Sequence, residues 1–297
     1  KRCLGLDTSH YTTSAALFDG QQVTQAKRPL PVRDGELGLR QQEAVFHHVV
    51  HLPEVLEQLL DGQTDIDFIA ASSRPRQVEG SYMPCFLAGY GAARQLAAAL
   101  GVPVYAFSHQ QGHVAAAALG SGKIEWLNRR FLAFHLSGGT TDALLVEPDE
   151  QEICRCTLVG GSLDLKAGQL IDRVGRMLGL PFPAGPALEQ LALQAQGQYK
   201  PKVPVKDGYC HLSGVENQCR AMKDSGAPDA EVALFCIKQV EAALVGMTQW
   251  VLRQFGELPL LYAGGVMSNS LIRESITAQF GGVFAPPAFA ADNAAGI

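Results

Sequence analysis

The chain has 297 residues, 47% of them hydrophobic, and a formal net charge of −5. The length fits one large α/β domain or two lobes of roughly 100–200 residues each, and the acidic balance excludes a protein that binds nucleic acid mainly through its overall field. Seven cysteines without paired C-x-x-C spacing, and no apolar run near ~20 residues, argue against a disulfide framework and a membrane span. We therefore expect a cytoplasmic protein without membrane contact.

The first third of the chain alternates strand-like and helix-like patterns. Apolar runs at Cys3–Asp7 and Ser14–Phe18 flank a polar stretch, which predicts a β-hairpin. Residues 41–60 have helical spacing, and another helix is expected to run through Leu100. The remaining predicted elements are strands at Ile66–Ala71 and Val102–Ala106, with Ser108 as the N-cap of a helix that carries His109 and His113.

The pattern of strand, small polar loop and strand recurs at Phe131–Leu136 and Ala143–Glu147. This repeat predicts duplicated lobes, 1–128 and 129–297, that face each other across a cleft. Within the second lobe, residues 198–214 are rich in Pro, Lys and Gly and are typical of an exposed insertion without assigned chemistry. Because the chain stops at Ile297 in what resembles a helix start, we expect a short further C-terminal segment.

Two histidines at positions i and i+4, His109 and His113, place both rings on one helical face. With the distant carboxylate of Asp292 they form a two-histidine, one-carboxylate set that can hold a metal and leave positions open. Two of eight histidines can take this spacing by chance, and His47 and His51 form a rival pair. Those two are more typical of an amphipathic face or an interface.

Glycine-rich and hydroxyl-rich loops suggest a site for phosphate groups. The loop from Leu136 to Asp142 contains Gly138 and Gly139, whose amides can approach phosphate oxygens without side-chain obstruction, although a structural turn explains the glycines equally well. The first loop adds Asp7 and Ser9, and Asp7 can reach a metal or a bound water.

Three further positions carry weaker signals. Asp172 lies on an amphipathic helix, where a solvated charge is the plain interpretation, and Gly185 marks a tight turn that a ribose or base can approach. The run Ala263–Asn269 follows the apolar strand Pro259–Tyr262, and a strand ending in Gly-Gly before a helix is a frequent ligand geometry.

Taken together, LGLDTS, H-x-x-x-H, LSGGTT, AGQLIDRVGRMLGLPFPAGP, AGGVMSN and ADNAAGI resemble the TsaD family over nearly the whole chain. These are the tRNA N6-adenosine threonylcarbamoyltransferases, once described as O-sialoglycoprotein endopeptidases of peptidase family M22. The resemblance implies an α/β, actin-like ATPase (ASKHA) fold with two ribonuclease-H-like lobes and a nucleotide cleft between them. A peptidase is less compatible, because the chain lacks the H-E-x-x-H glutamate.

The resemblance also implies the site residues. A divalent metal, iron or zinc, is expected on His109, His113 and Asp292. The threonylcarbamoyl-adenylate or ATP/ADP is expected among the following residues: His135, Leu136, Ser137, Gly138, Gly139, Asp172, Gly185, Glu189 and Asn269, with Asp7 and Ser9 added from the first loop. Glu189 stands where many members have Asp. The family reaction transfers threonylcarbamoyl from its adenylate to N6 of adenosine 37 in tRNA.

Three loops depart from the family pattern. The first loop reads Asp-Thr-Ser-His-Tyr-Thr-Thr and introduces His10, Ser-Gly-Gly-His-Thr becomes Ser-Gly-Gly-Thr-Thr, and residues 73–80 replace a Gly-Pro-Gly-rich loop. These changes suggest a divergent paralogue. The alternatives are a catalytically altered nucleotide-binding ASKHA paralogue that acts as a scaffold, and a carbamoyltransferase with a small-molecule acceptor.

With a net charge of −5, binding of tRNA is expected to need a local positive patch or a partner subunit that supplies phosphate contacts, and the expected partner is a related ASKHA subunit or a second copy of the chain. The helix at 41–60 is the expected contact, through an apolar stripe of Val45, Val49, Leu52, Leu56 and Leu59.

Overall fold

The structure is a computed structural model that describes residues 1–9, 11–31, 39–289 and 292–297. His10 of the first loop lies outside the described residues. Eleven strands are described: β1 Cys3–Thr8, β2 Thr12–Phe18, β3 Val23–Pro29, β4 Phe68–Arg74, β5 Val104–Ser108, β6 Phe131–Leu136, β7 Thr141–Asp149, β8 Ile153–Ser162, β9 Tyr209–Cys210, β10 Leu260–Ala263 and β11 Val283–Phe284. Eight α-helices accompany them in the described ranges: α1 Gln41–Leu60, α2 Phe86–Leu100, α3 His109–Gly120, α4 Ala167–Met177, α5 Gly185–Ala192, α6 Ser213–Asp224, α7 Asp229–Phe255 and α8 Ser270–Phe280.

The chain divides into two compact units, each built on one sheet. The first unit comprises Lys1–Asn128, Pro148–Cys156 and Ala291–Ile297, and the second comprises Arg129–Glu147 and Thr157–Ala290. The first unit is therefore discontinuous, because a short hairpin and the last residues return to it. None of the described helices combines the length and apolar character of a membrane span.

The two sheets share one strand order. The first runs β3-β2-β1-β4-β5, with β1 antiparallel to β2 and parallel to β4. The second runs β11-β10-β6-β7-β8-β9, with β6 antiparallel to β7 and parallel to β10. Because only three residues join β7 to β8, that pair is antiparallel too, and β9 is an additional edge strand parallel to β8. The predicted α/β class is confirmed, and the same meander with two added parallel strands occurs twice.

Helix α1 covers the predicted range 41–60 and shows why its apolar stripe is not free. Leu52 and Leu59 are buried in the core of the first unit, so the predicted contact stripe was wrong at these two positions. The exposed apolar side chains of α1 are instead Phe46, Val49 and Val50. A partner contact through this helix stays a prediction, and it would use those three residues.

His48 of α1 is fully buried and ties the helix to the first hairpin. Its Nε2–H donates to the Ser9 carbonyl at 2.6 Å, and its Nδ1 accepts from the Thr13 hydroxyl at 2.8 Å. The ring therefore carries its proton on Nε2 and needs no positive charge. This histidine is a structural anchor for the residues that follow β1.

Candidate functional site

In the first unit, α3 begins where the sequence predicts. The Ser108 hydroxyl accepts from the Gln111 amide at 3.1 Å, and the Gln111 side chain accepts from the Ser108 amide at 2.7 Å, which forms a capping box. This fixed start places His109 in the first turn and His113 one turn later. Their ring centroids lie 4.3 Å apart.

The last described residues bring the third group to these rings. Glycines allow the close contact: a Cβ on Gly296 would lie 1.9 Å from the Gly112 carbonyl oxygen of α3, and a Cβ on Gly5 would lie 2.9 Å from the Ala294 carbonyl oxygen. The segment therefore packs against both α3 and β1. The Asn293 side chain accepts from the Ala295 amide at 3.0 Å and shapes the turn that follows Asp292.

Three ligand atoms converge as a result. His109 Nε2 lies 2.9 Å from His113 Nε2, and Asp292 Oδ1 lies 3.3 Å from the first nitrogen and 3.2 Å from the second. In the described part of the chain, this is the one group of three His, Cys, Asp or Glu side chains with ligand atoms this close together. The rings of the rival pair on α1, His47 and His51, have centroids 5.9 Å apart and are tilted by 38°, and the pair belongs to no such group among the described residues.

Asp7 lies behind the cluster and is almost fully buried. Its Oδ2 accepts from His109 Nδ1 at 2.6 Å, and its Oδ1 accepts from the Ser72 hydroxyl at 2.9 Å. Burial alone would lower the pKa of His109, but the Asp7 and Asp292 carboxylates outweigh it and raise that pKa to about 10. Burial would raise the pKa of Asp292, but His109 and His113 outweigh it and hold that pKa well below its usual range.

Sequence reasoning assigned Asp7 and Ser9 to a ligand, and the structure gives them different surroundings. Both oxygens of Asp7 are engaged by protein groups, which favours a supporting role for His109. Ser9 is 3% exposed, and its hydroxyl has no hydrogen-bond partner among the described residues. Direct contact of either side chain with a nucleotide stays a prediction. The sequence contains no signal for the Ser72 contact, because nothing local links it to Asp7.

The altered loop at 73–80 binds the hairpin that returns to the first unit. Two contacts of 2.8 and 2.9 Å join the Arg74 guanidinium to the Glu152 carboxylate, and the Gln77 amide donates to the same carboxylate at 2.6 Å. The Gln77 side chain also accepts from the Cys156 amide at 2.8 Å. Arg74 and Gln77 of this loop thus clamp the hairpin through polar contacts.

In the second unit, the glycine loop connects β6 to β7. The Gly168 amide of α4 donates to the Ser137 carbonyl at 3.1 Å, and a Cβ on Gly168 would lie 2.6 Å from the Gly138 nitrogen. Gly168 is therefore required for the helix to approach the loop. Gly138 and Gly139 are exposed, and a Cβ on either would meet nothing within 4 Å. Their free side is open to a ligand.

The other predicted residues of this unit hold neighbouring loops in place. Asp172 is half-buried and accepts from the Ala184 amide at 2.8 Å, just before Gly185 begins α5. The interpretation of Asp172 as a solvated charge was therefore wrong, and Gly185 is the first residue of a helix. Glu189 accepts from the Ser270 amide at 2.9 Å and from its hydroxyl.

Two contacts close a ring among these elements. Asn269 caps α8 by accepting from the Ile272 amide at 3.1 Å. Gly264 has a φ of 99°, and a Cβ there would lie 2.1 Å from the Leu136 carbonyl oxygen and 2.9 Å from the His135 ring. Contacts thus run from the glycine loop through α4, α5, α8 and the Gly264 turn back to β6. The following predicted residues all lie on this ring: His135, Leu136, Ser137, Gly138, Gly139, Asp172, Gly185, Glu189 and Asn269.

The ring occupies one edge of the second sheet. β6 and β10 are parallel, as are β8 and β9, and the two pairs have the same direction because β7 is antiparallel to both β6 and β8. The glycine loop and the Gly264 turn both follow carboxyl ends of these strands. Ligands of open α/β sheets bind at that edge.

Comparisons with known proteins show the family of the chain. A family model, TsaD, described as tRNA N6-adenosine threonylcarbamoyltransferase, matches residues 34–297. The tRNA N6-adenosine threonylcarbamoyltransferase of a Thermus thermophilus strain is 32% identical over 280 residues, which cover 91% of this chain and 82% of the relative.

Solved structures show the fold. Full-length HypF in its phosphate- and nucleotide-bound form gives a TM-score of 0.62 at 11% identity, covering 99% of this chain and 53% of that one. Component A of the (R)-2-hydroxyglutaryl-CoA dehydratase of Acidaminococcus fermentans gives 0.57 at 16% identity, covering 99% and 95%. The predicted actin-like ATPase fold is thereby confirmed. The chain belongs to the TsaD family of tRNA N6-adenosine threonylcarbamoyltransferases, and it is a transferase.

Proposed function

We propose that the chain transfers a threonylcarbamoyl group from its adenylate to N6 of adenosine 37 in tRNA, with a divalent metal held by His109, His113 and Asp292. The observation that carries this proposal is the triangle of His109 Nε2, His113 Nε2 and Asp292 Oδ1, with sides of 2.9, 3.2 and 3.3 Å. Family membership supplies the substrate class.

The donor set fits a metal. Ligand atoms that share one cation at about 2.1 Å lie about 3.0 to 3.4 Å apart when the bond angles are between octahedral and tetrahedral, and the three measured sides lie close to this range. Two imidazole nitrogens and one carboxylate oxygen suit iron or zinc better than magnesium or calcium, which prefer oxygen ligands. The carboxylate of Asp7 on the far nitrogen of His109 is the support that metal-bound histidines usually have.

A cation bound at this site supplies Lewis-acid polarisation of a carbonyl oxygen. Asp7 keeps the proton of His109 on Nδ1, so that Nε2 presents its lone pair to the cation. The pKa of His109 is about 10 without a cation, so this ring gives up a proton when a cation binds, and Asp292 then adds one negative charge beside two neutral rings. Because the amine of the acceptor can attack the carbamoyl carbon directly, the reaction needs no protein nucleophile. Burial raises the pKa of the Cys85 thiol to about 12, so this cysteine stays protonated at neutral pH and is a poor nucleophile, which fits a direct transfer.

The adenylate is expected at the ring in the second unit. Gly138 and Gly139 are exposed residues, and their amides are the groups that we expect to take the negative charge of the phosphate as it leaves with the nucleotide. Asp172 and Glu189 each use one carboxylate oxygen to hold a backbone amide. The second oxygen of each is suited to accept from a ribose hydroxyl. In this arrangement the loops are fixed before the ligand binds.

The test is a transfer assay with purified, metal-analysed protein, threonylcarbamoyl-adenylate and unmodified tRNA, alone and with candidate partner subunits. Nucleoside mass spectrometry measures the threonylcarbamoyladenosine that forms. We expect product from the wild type and from His47→Ala, and loss of both product and bound metal from His113→Ala. His47→Ala is the matched control because His47 also belongs to an i, i+4 histidine pair. Equal metal content in all three proteins would contradict the site, and absence of product with metal and nucleotide bound would contradict the reaction.

A further inference from the structure

The segment Tyr199–Lys206 of the second unit, called the strip below, alternates in exposure as an extended chain does. Residues 200, 202, 204 and 206 are exposed, and residues 199, 201, 203 and 205 are partly buried. Val203 and Val205 pack against the core of the unit, and Val205 contacts Gly246 of α7. Lys200, Lys202 and Lys206 therefore project from one side, the first two about 6.6 Å apart along the extended backbone.

The amino end of this strip is anchored. The Tyr199 hydroxyl donates to Glu231 Oε2 at 2.7 Å, and the amides of Gln196 and Gly197 donate to Glu231 Oε1 at 2.9 and 3.0 Å. Glu231 lies in the first turn of α7, so the strip is tied to the longest helix described. The three donors occupy this carboxylate, and among the described residues Glu231 forms no ion pair with a lysine of the strip.

A tight turn anchors the other end. Lys206 and Tyr209 exchange two backbone hydrogen bonds of 2.9 Å around Asp207 and Gly208, whose φ angles of 53° and 85° are typical of a two-residue Asp-Gly turn. A Cβ on Gly208 would lie 2.4 Å from the Val159 carbonyl oxygen. The strip is thus held in one conformation before any partner arrives.

No ion pair involves Lys200, Lys202 or Lys206 in the ranges that the structure describes. Asp207 is the one acidic residue between positions 198 and 211. In a chain with a net charge of −5, three exposed and unpaired cations in a row form a local positive patch. A patch of this kind is the electrostatic footprint of a polyanion-binding surface.

Two prolines favour a polyanion over another protein as the occupant. Pro201 and Pro204 have no amide hydrogen, so the strip cannot continue the sheet by pairing with an extended peptide. They also restrict the backbone and so reduce the entropy lost when the lysines bind. The strip leads into β9, whose carboxyl end lies at the same sheet edge as the glycine loop.

We propose that Lys200, Lys202 and Lys206 dock the phosphate backbone of the RNA substrate. This inference rests on the proposed function, because it takes tRNA as the acceptor. It assigns a role to the lysine-rich segment, and it identifies the local positive patch that an acidic chain needs to hold a nucleic acid.

The test compares three triple variants of the full chain by their affinity for an unmodified tRNA transcript, measured by fluorescence anisotropy at several salt concentrations. The strip variant is K200Q/K202Q/K206Q. The charge-matched control, K27Q/K123Q/R253Q, removes three cations elsewhere and changes the net charge equally. The third variant, K200R/K202R/K206R, keeps the charge.

Each phosphate contact contributes about 0.7 to the slope of log affinity against log salt concentration for a single strand, so three contacts contribute about 2. We therefore expect the strip variant to lose about 2 from this slope and to bind roughly 10- to 100-fold more weakly at low salt. The control and the arginine variant are expected to stay within about threefold of the wild type.

The outcomes separate this inference from the transfer reaction. If the strip variant binds tRNA like the wild type, or if the control weakens as much, the docking inference is wrong whether or not product forms. The same holds if the wild type shows no tRNA affinity with any partner subunit. If binding depends on the strip but threonylcarbamoyladenosine never forms, the docking surface stands and the proposed reaction fails.

Discussion

Replacement of Asp7 by asparagine tests how the metal centre is supported. The carboxylate accepts from His109 Nδ1 at 2.6 Å and from the Ser72 hydroxyl at 2.9 Å, and it is 1% exposed. Asparagine has nearly the same shape but no charge, and its amide can present a donor where His109 needs an acceptor. We expect the ring to lose its fixed orientation and its preference for a lone pair on Nε2.

The magnitude follows from the role of such supporting carboxylates. Their loss typically weakens metal affinity 10- to 100-fold, which corresponds to about 1.4 to 2.8 kcal/mol. Asp7 also contributes the largest charge effect that raises the pKa of His109 to about 10, so that pKa should fall in the metal-free variant. Both changes act on His109 while His113 and Asp292 stay in place.

Competition with a chromogenic chelator measures the zinc affinity of the wild type, Asp7→Asn, Ser72→Ala and His113→Ala. The expected order of lost affinity is small for Ser72→Ala, intermediate for Asp7→Asn and largest for His113→Ala. Circular dichroism and urea unfolding of the metal-free proteins provide the control for folding. A folded Asp7→Asn protein with wild-type zinc affinity would refute the argument that Asp7 positions His109.

Three further predictions follow from close contacts and from one carboxylate. Gly264 has a φ of 99°, and a Cβ there would lie 2.1 Å from a carbonyl oxygen, so Gly264→Ala should lower the free energy of unfolding by about 3 kcal/mol or more in urea titrations. The control Gly265→Ala places its Cβ in open space and should change this free energy by less than about 1 kcal/mol. Gly296→Ala should displace the segment that carries the metal-binding carboxylate and weaken zinc affinity at least tenfold, while Gly91→Ala, on an open helical face of the same unit, should not; equal affinities would contradict this packing. Partial burial would raise the pKa of Asp164, but the Ser213 hydroxyl and the Leu212 and Leu165 amides outweigh it and hold that pKa well below its usual range. The stabilisation is therefore complete above the unfolded pKa of about 3.9 and is lost as pH falls below it. Asp164→Ala should lower the free energy of unfolding by about 2 kcal/mol at pH 7 and make that free energy depend less on pH in the acid range. An unchanged dependence on acid pH would show that these hydrogen bonds contribute nothing.

Local patterns in the sequence were enough to predict much of the fold. The helix at 41–60, the strand at 131–136 and the cap at Ser108 have the predicted bounds because periodicity and capping are properties of neighbouring residues. The strands predicted at Ile66–Ala71 and Val102–Ala106 each begin two residues later, at Phe68–Arg74 and Val104–Ser108. Strand ends depend on the ladder that the partner strand offers, which the local sequence does not contain.

The supporting contacts of the site could not be predicted in the same way. The i, i+4 spacing of His109 and His113 is local, but the bonds of Asp7 to His109 and Ser72 join residues 102 and 65 positions apart. Glycines gave a partial signal, since the motifs contain Gly168 and Gly264, but only the structure shows which atoms each one must approach. The lysine strip was read as an exposed insertion because anchoring by Glu231 depends on a distant helix.

The discontinuity of the first unit has a consequence for how the protein acquires its metal. His113 leaves the ribosome about 180 residues before Asp292, with the whole second unit between them. At roughly 5 to 20 residues per second, this delay is about 10 to 35 s. During that time the two imidazoles are held on α3 without the carboxylate, and they can bind a cation only weakly. The three ligands of the proposed metal site are therefore all present only after the second unit has been synthesised.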